Sequence, residues 1–334
     1  MHEPPNLPDD AIIAALQASY GISIASLTFL PIGYDSTAWV YRVETVDRTH
    51  YFLKIRAGLG NVRGIVIPRF VQDRGVPHIA APLPTRSRAL WATVNDFALI
   101  LYPFIDGRTG VESGLSDDQW TALGALVRQV HSLSLPPDLV PLVRRDPFTP
   151  VRRELIPTLE TLLTTQPLTD PIARELAALW RAKREEIDTL VERADTLGRQ
   201  LRQDSPPLVL CHADLHTWNV LVDRARQLWV VDWDETILAP QEQDLMFFVR
   251  GIGRDLVSPH DTECFLRGYG DTAIDSRALA YYRYAWAVQD LAAYGELAVL
   301  LPGRGDKTRR QAVAGFLDTL APGSIADIAL SSDI

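Results

Sequence analysis

Cysteine is scarce in this chain: Cys211 and Cys264 are the only two in 334 residues. That excludes a disulfide framework and points to a reducing, cytoplasmic setting. No apolar run reaches the roughly 18 residues that span a bilayer. The opening Met1-His2-Glu3-Pro4-Pro5 lacks a basic region followed by an apolar stretch, so no secretory signal is expected. Positive charge is also short. Thirty-three Lys and Arg face 42 Asp and Glu, a net −9, which argues against a nucleic-acid partner, since that would need a basic face. There is no internal repeat and no low-complexity tract. A content of 47% hydrophobic and 22% charged residues is that of an ordinary globular protein, and the length is enough for two lobes with separate cores.

The acid is unevenly spread. Residues 204–306 hold 16 Asp and Glu against 8 Lys and Arg. An acidic cleft there would draw in a cationic small molecule, although most such charges in any protein are simply solvated.

The same segment carries the most specific motif. Residues 212–219 read His-Ala-Asp-Leu-His-Thr-Trp-Asn, and thirteen residues later Asp232 follows in Val230-Val231-Asp232-Trp233-Asp234. A lone Asp or His in a loop is usually a cap or turn residue. Here the polar residues lie between apolar runs: 207–211 leads into the loop, and 219–222 and 227–231 read as two short strands around the turn 223–226. Functional loops are held in this way. Asp214 can face a substrate hydroxyl, while Asn219 and Asp232 offer oxygens of the kind magnesium prefers. Phosphoryl transfer needs this positioning and charge neutralisation more than covalent help. Cys211, among aliphatic neighbours, reads as a buried structural thiol and not a nucleophile, and His212 as a support for the loop.

Around the motif the chain reads as a small α/β region followed by a helical one. Asp9-Asp10 starts a helix that ends near Tyr20-Gly21. Strands are expected at 26–31, 37–44 and 51–55, the last two joined by a turn at Asp47-Arg48, then a helix at 65–74 and a strand at 97–102. Punctuation at Pro103 to Gly107 marks the lobe boundary, giving a nucleotide-binding lobe of residues 1–105 and a catalytic and substrate-binding lobe of residues 106–334. Ser116-Asp117-Asp118-Gln119 is a capping box opening a helix to His131. Pro171 opens one long helix whose apolar side runs from Ile172 to Leu201. Further helices are expected at 244–249, 259–269, 276–300 and 306–320.

Lys54 sits on the third strand between apolar residues, where lysine is costly to bury without an anionic partner. A nucleotide phosphate would be one. Ahead of it, the turn from Ile32 through Asp35, Ser36 and Thr37 joins two strands and can lay backbone N–H groups over phosphates. An ordinary hairpin is the equal alternative for that segment alone. Strand, turn, strand and then a strand lysine is the kinase order, with no Walker A loop.

On these residues the chain resembles the aminoglycoside phosphotransferase family. The matching features are His212-x-Asp214-x4-Asn219, Val231-Asp232-Trp233-Asp234 and Lys54. The run Asp232-Trp233-Asp234-Glu235 through Ala239-Pro240 to Asp244-Leu245-Met246-Phe247 is closer still to the spectinomycin phosphotransferase branch, as are Tyr102-Pro103-Phe104-Ile105, Tyr281-Tyr282-Arg283, Asp290 and Tyr294-Gly295. The resemblance implies an α+β, bilobal protein-kinase-like fold, with a small N-terminal lobe built on an antiparallel sheet and a larger, mainly helical C-terminal lobe. It implies an ATP- and magnesium-dependent transfer to a hydroxyl of a cationic aminocyclitol or aminoglycoside such as spectinomycin, inactivating an antibiotic. By the same resemblance Asp214 is the base or hydroxyl-orienting group, Asn219 and Asp232 bind magnesium, and Lys54 holds the α- and β-phosphates. Tyr102, Pro103 and Phe104 form the hinge that meets adenine. Asp234, Glu235, Asp290 and Glu296 are the acidic candidates for the substrate.

One departure stands out. Kinase-like enzymes pair the strand lysine with a glutamate from the next helix, yet residues 61–67 hold no acid and the nearest downstream is Asp73. Two other readings remain: a kinase of a housekeeping metabolite such as a sugar or amino alcohol, and a nucleotide-binding pseudokinase module. Retention of Asp214, Asn219 and Asp232 speaks against the second. A protein kinase is disfavoured by the lack of an activation segment ending in Ala-Pro-Glu.

Overall fold

The computed structural model describes residues 4–31, 37–253 and 256–332. In chain order the elements are α1 (Asp9–Tyr20), β1 (Ile24–Leu30), β2 (Ala38–Thr45), β3 (His50–Ala57), α2 (Arg63–Asp73), β4 (Ala92–Val94), β5 (Phe97–Pro103), β6 (Gly107–Thr109), α3 (Gly110–Ser113) and α4 (Asp117–His131). There follow α5 (Leu155–Thr165), α6 (Pro171–Ala182), α7 (Arg184–Asp204), β7 (Val209–Cys211), β8 (Val220–Asp223), β9 (Leu228–Val230) and β10 (Ile237–Ala239). The chain then runs through α8 (Glu242–Leu245), α9 (Pro259–Tyr269), α10 (Ser276–Gly295), α11 (Asp306–Thr319) and α12 (Ile325–Leu330). Among the described residues no helix is long and apolar enough to cross a membrane.

The chain divides into two compact units, one of residues 1–144 with 212–237 and the other of residues 145–211 with 238–334. The first unit is built on an antiparallel five-stranded sheet, ordered β1-β2-β3-β5-β4. Side chains alternate across a strand, and that alternation sorts the two faces of this sheet. Tyr41, Val43, Leu53, Ile55, Leu99 and Leu101 pack on one face with Ile12 and Leu16 of α1. On the other face Ala98 and Ile100 pack against Ile65 of α2. Lys54 lies opposite Val40 and Ile100 in the register, between Leu53 and Ile55 of the α1 face, so it belongs to the α2 face. Arg56, two residues on, shares it. Helix α1 stops at Gly21, whose left-handed φ of 73° returns its N–H to Gln17. A three-stranded sheet, β6-β8-β9, completes this unit and carries the loop motif at its end.

The second unit is mainly helical. Helix α10 packs against α7, α11 and α12, and β7 pairs with β10. The single helix expected from Pro171 is two. It breaks at Lys183, with φ −111° and ψ 14°. A continuous helix would put Lys183 or Arg184 on the buried stripe between Trp180 and Ile187. The break instead lets Lys183 reach Glu186 at 2.7 Å and Arg184 reach Glu160. Helix α10 likewise ends at Gly295, and residues 296–300 form a wider π turn.

Candidate active site

The loop from His212 to Asn219 is pinned from inside. His212 is buried (1% exposed). Its Nδ1 accepts from the Asp214 N–H at 3.2 Å and its Nε2 donates to the Val231 carbonyl at 2.9 Å. Its ring also packs on Trp233, 4.7 Å between centroids. One imidazole thus ties the Asp214 backbone to the segment bearing Asp232. A second tie runs from Val231 N–H to the Asn219 carbonyl, 3.0 Å. Both Ala213 (φ 69°) and Asp232 (φ 59°) are left-handed. Asp tolerates that region and Ala does not. Strain of this sort persists where the surroundings over-determine it, and it collects at functional sites.

Asp214 is the hub of the loop. Asn219 Nδ2 donates to its backbone oxygen at 2.8 Å and to Oδ2 at 2.9 Å. His216 Nε2 lies 3.2 Å from Oδ1. With its amide nitrogen so committed, Asn219 still carries an acceptor oxygen, Oδ1. That oxygen, with the half-exposed carboxylate of Asp232, is a donor set of the kind magnesium takes, one carboxylate and one neutral oxygen with room for water and phosphate. Trp218, next to Asn219, is 45% exposed and meets His216 edge-on at 5.3 Å.

Lys54 is engaged by carboxylates from the same end of the motif. Its Nζ lies 2.7 Å from Asp234 Oδ2 and 3.5 Å from Asp232 Oδ1. Arg56, 7% exposed, binds the same Oδ2 of Asp234. The backbone oxygen of Asp234 accepts from Asn61 Nδ2 at 2.8 Å and from Arg63 Nε at 3.1 Å. Gly64 completes the cradle: a Cβ there would meet the Asp234 carboxylate and come within 3.0 Å of its Cα. Glu235, more exposed, lies 3.3 Å from Arg144 and 3.8 Å from Arg63. Burial and the neighbouring Arg144 lower the Arg63 pKa.

Of the expected site residues, Lys54, Asp214, Asn219, Asp232, Asp234 and Glu235 all fall in the first compact unit. Asp35 and Ser36 lie outside the described residues. Thr37 is exposed, and its carbonyl accepts from Ala57 N–H at 3.0 Å. Tyr102 and Pro103 end β5 opposite Phe52 and Tyr51. Phe104 lies under the Arg42 guanidinium at 5.2 Å. Asp290 and Glu296 belong to the second unit, where Glu296 pairs with Arg152. Reasoning from sequence missed Arg56, Asn61, Arg63 and Gly64. Arg56 carried one legible signal, its i+2 spacing from Lys54 on a strand. Cys211 is fully buried as expected, and its Sγ faces the carbonyls of Ala239 and Pro240, each at 3.6 Å. Burial, then the charges of Asp244, Asp146 and Glu242, push its thiol pKa well up.

An antiparallel sheet with a strand lysine, joined to an Asp–Asn loop and a following carboxylate, defines a kinase-like phosphotransferase. The model of the phosphotransferase enzyme family (APH) matches residues 26–285, and the chain belongs to that family. The crystal structure of spectinomycin phosphotransferase APH(9)-Ia, in complex with ADP and spectinomycin, is 29% identical and superposes with a TM-score of 0.90 over 98% of this chain and 99% of that one. Amicoumacin kinase hAmiN in complex with AMP-PNP, Ca2+ and its ligand, at 16% identity, shares the fold with a TM-score of 0.65 over 96% and 95% of the two chains. Protein StrN of Streptomyces griseus is 22% identical over 279 residues, 81% of this chain and 79% of that protein.

Proposed function

We propose that the protein transfers the γ-phosphate of ATP to a hydroxyl of a cationic aminocyclitol, spectinomycin or a close relative, and so inactivates an antibiotic in the cytoplasm. The observation that carries the reading is the cluster of Asp214, Asn219, Asp232 and Lys54 in one compact unit. The acceptor class is supported by the full-length likeness to a spectinomycin phosphotransferase and by the acid excess of residues 204–306.

Asp214, oriented by Asn219 and His216, accepts the proton of the acceptor hydroxyl or aims that hydroxyl at phosphorus. Positioning of this kind lowers a barrier by making the encounter effectively unimolecular. Asn219 Oδ1 and Asp232 would hold magnesium, which when bound would supply charge neutralisation on the phosphates. Lys54 meets the α- and β-phosphates, Asp35, Ser36 and Thr37 cover them, and Tyr102, Pro103 and Phe104 offer backbone groups to adenine. Glu235, Asp290 and Glu296 are the acids proposed for the ammonium groups of the acceptor. Residues 1–105 act as the nucleotide lobe and 106–334 as the catalytic and acceptor lobe.

The test is a phosphate-transfer assay with magnesium-ATP across a panel of aminoglycosides and aminocyclitols, spectinomycin included. Phosphorylated spectinomycin is the expected product. Transfer to none of the panel, with transfer to a common sugar or amino alcohol, would replace this reading with that of a metabolite kinase.

A further inference from the structure

Helix α2 provides no acid for Lys54. Its one carboxylate, Asp73, stands at its C-terminal end and pairs with Arg69, whose Nε lies 3.0 Å away. Lys54 is nevertheless not left to phosphate. Among the described residues its nearest carboxylate is Asp234, 180 residues along the chain.

We infer that Asp234 is the positioning residue of Lys54, the metal-bearing segment supplying the carboxylate that the following helix lacks. Resting on the nucleotide-binding part of the function proposed above, the assignment has three supports.

The first is sharing. Lys54 and Arg56 converge on one oxygen, Oδ2, so the carboxylate is fixed by two cations from the same strand face. An ion pair between single flexible side chains contributes little, whereas a network of hydrogen-bonded charges away from water holds its geometry. The second is the grip on the backbone. Asn61 and Arg63, flanking the start of α2, both donate to the Asp234 carbonyl, so the residue cannot swing with its loop. The third is space. Gly64 leaves room for the carboxylate, and a side chain there would displace it. Together these place α2 against Asp234 in the role of a support and Asp234 against Lys54 in the role of an anchor.

The experiment compares the wild-type protein with Asp234→Asn, Asp234→Glu and the double variant Asp234→Asn with Arg56→Gln, which removes the cation that the single change would strand. Two readouts need no acceptor. One is the affinity for magnesium-ADP by calorimetry. The other is labelling of Lys54 by an acyl phosphate of ADP, in which the lysine nitrogen takes the acyl group and ADP leaves, read by mass spectrometry. Asp234→Asn is expected to weaken nucleotide binding and to slow Lys54 labelling by about a hundredfold, the scale of a reacting group misplaced by an ångström. Asp234→Glu recovers part of both. With an acceptor, kcat falls while the acceptor KM holds. Unchanged labelling and affinity in folded Asp234→Asn, or in the double variant if the single change does not fold, would overturn the assignment. So would a change confined to the acceptor KM, which would make Asp234 an acceptor contact. If the wild-type protein binds magnesium-ADP but phosphorylates no aminocyclitol, the acceptor reading fails and this one is still decided by the labelling. If it binds no nucleotide, both fall.

Discussion

The amide of Asn219 donates to Asp214 twice, at 2.8 Å to its backbone oxygen and at 2.9 Å to its carboxylate. The residue proposed to hold the metal therefore also sets the rotamer of the residue proposed to face the hydroxyl. The spacing of the two in sequence permits that bond: the short helical turn at 217–219 brings the eighth residue of the loop back onto the Asp214 carboxylate.

Changing Asp214 to Asn keeps the shape and removes the acceptor of the proton. Transfer is expected to fall by about 10²–10⁴, the usual contribution of a positioned acid or base. Affinity for magnesium-ADP is expected to hold. Equal turnover in the variant would remove Asp214 from the chemistry.

The Cys211 thiol, fully buried and pushed up by burial and the acids around it, is expected to resist alkylation in the native protein at mildly alkaline pH. The thiolate is the reactive form, and here it is both disfavoured and out of reach. Iodoacetamide labelling followed by peptide mass mapping checks this: modification of Cys211 should appear only with denaturant. Ready modification without it would show that the strand opens.

Tyr20 and Tyr41 hold their protons to about pH 12, against 10.0 for a free phenol, both chiefly through burial. In Tyr20 the hydroxyl donates to the Leu99 carbonyl at 3.2 Å. The folded form thus binds more protons than the unfolded one between those values, and stability falls as pH rises through that window. Full stability is present below pH 10. Arg283 works in the opposite direction: burial lowers its pKa to about 10, so losing its proton relieves a burden on the fold. The tyrosines are expected to dominate, since burial raises Tyr102, Tyr281, Tyr282 and Tyr284 as well. Denaturant melts at stepped pH, with phenolate absorbance followed alongside, should show unfolding and the late phenol titration moving together. Phenols that titrate at their ordinary value without unfolding would refute the burial of this face.

Gly64→Ala pushes a methyl toward the Cα and carboxylate of Asp234. Backbone on the far side gives little, and overpacking of this kind costs about 1–3 kcal/mol. The variant is expected to melt lower and to bind nucleotide more weakly, measured by calorimetry on one preparation. Wild-type values for both would mean that α2 shifts freely.

Much of this was open to reading from sequence where local rules decide. Ser116 with Gln119 announces a helix start that the structure reproduces with its capping box, and the helix expected at 259–269 begins there behind a second capping box from Ser258. The loop motif, its strands and the β3 lysine were equally plain, because each is fixed by neighbours within a few residues. Three kinds of feature were hidden. Short elements such as β4, β6 and α3 have too few residues for a period to show. Helix α5 is masked by Pro157 and its threonines, poor helix formers that burial of Ile156, Leu159 and Leu163 outweighs. The partner of Lys54 was the third. Residues 61–67 lack an acid, and nothing local reveals that Asp234 fills the gap, since that pairing depends on where β9 returns the chain.

The discontinuity of the first compact unit also bears on synthesis. Residues 1–144 leave the ribosome well before residues 212–237, with which they pack. Until Asp234 emerges, Lys54 and Arg56 are two neighbouring cations on a sheet face with no counter-charge from that segment. Domains mostly assemble as units as they are made. Here the nascent sheet must wait through the intervening 145–211 segment for its carboxylate. A stalled chain ending short of Asp234 is therefore expected to expose a basic, sticky face, a natural mark for chaperones and proteases.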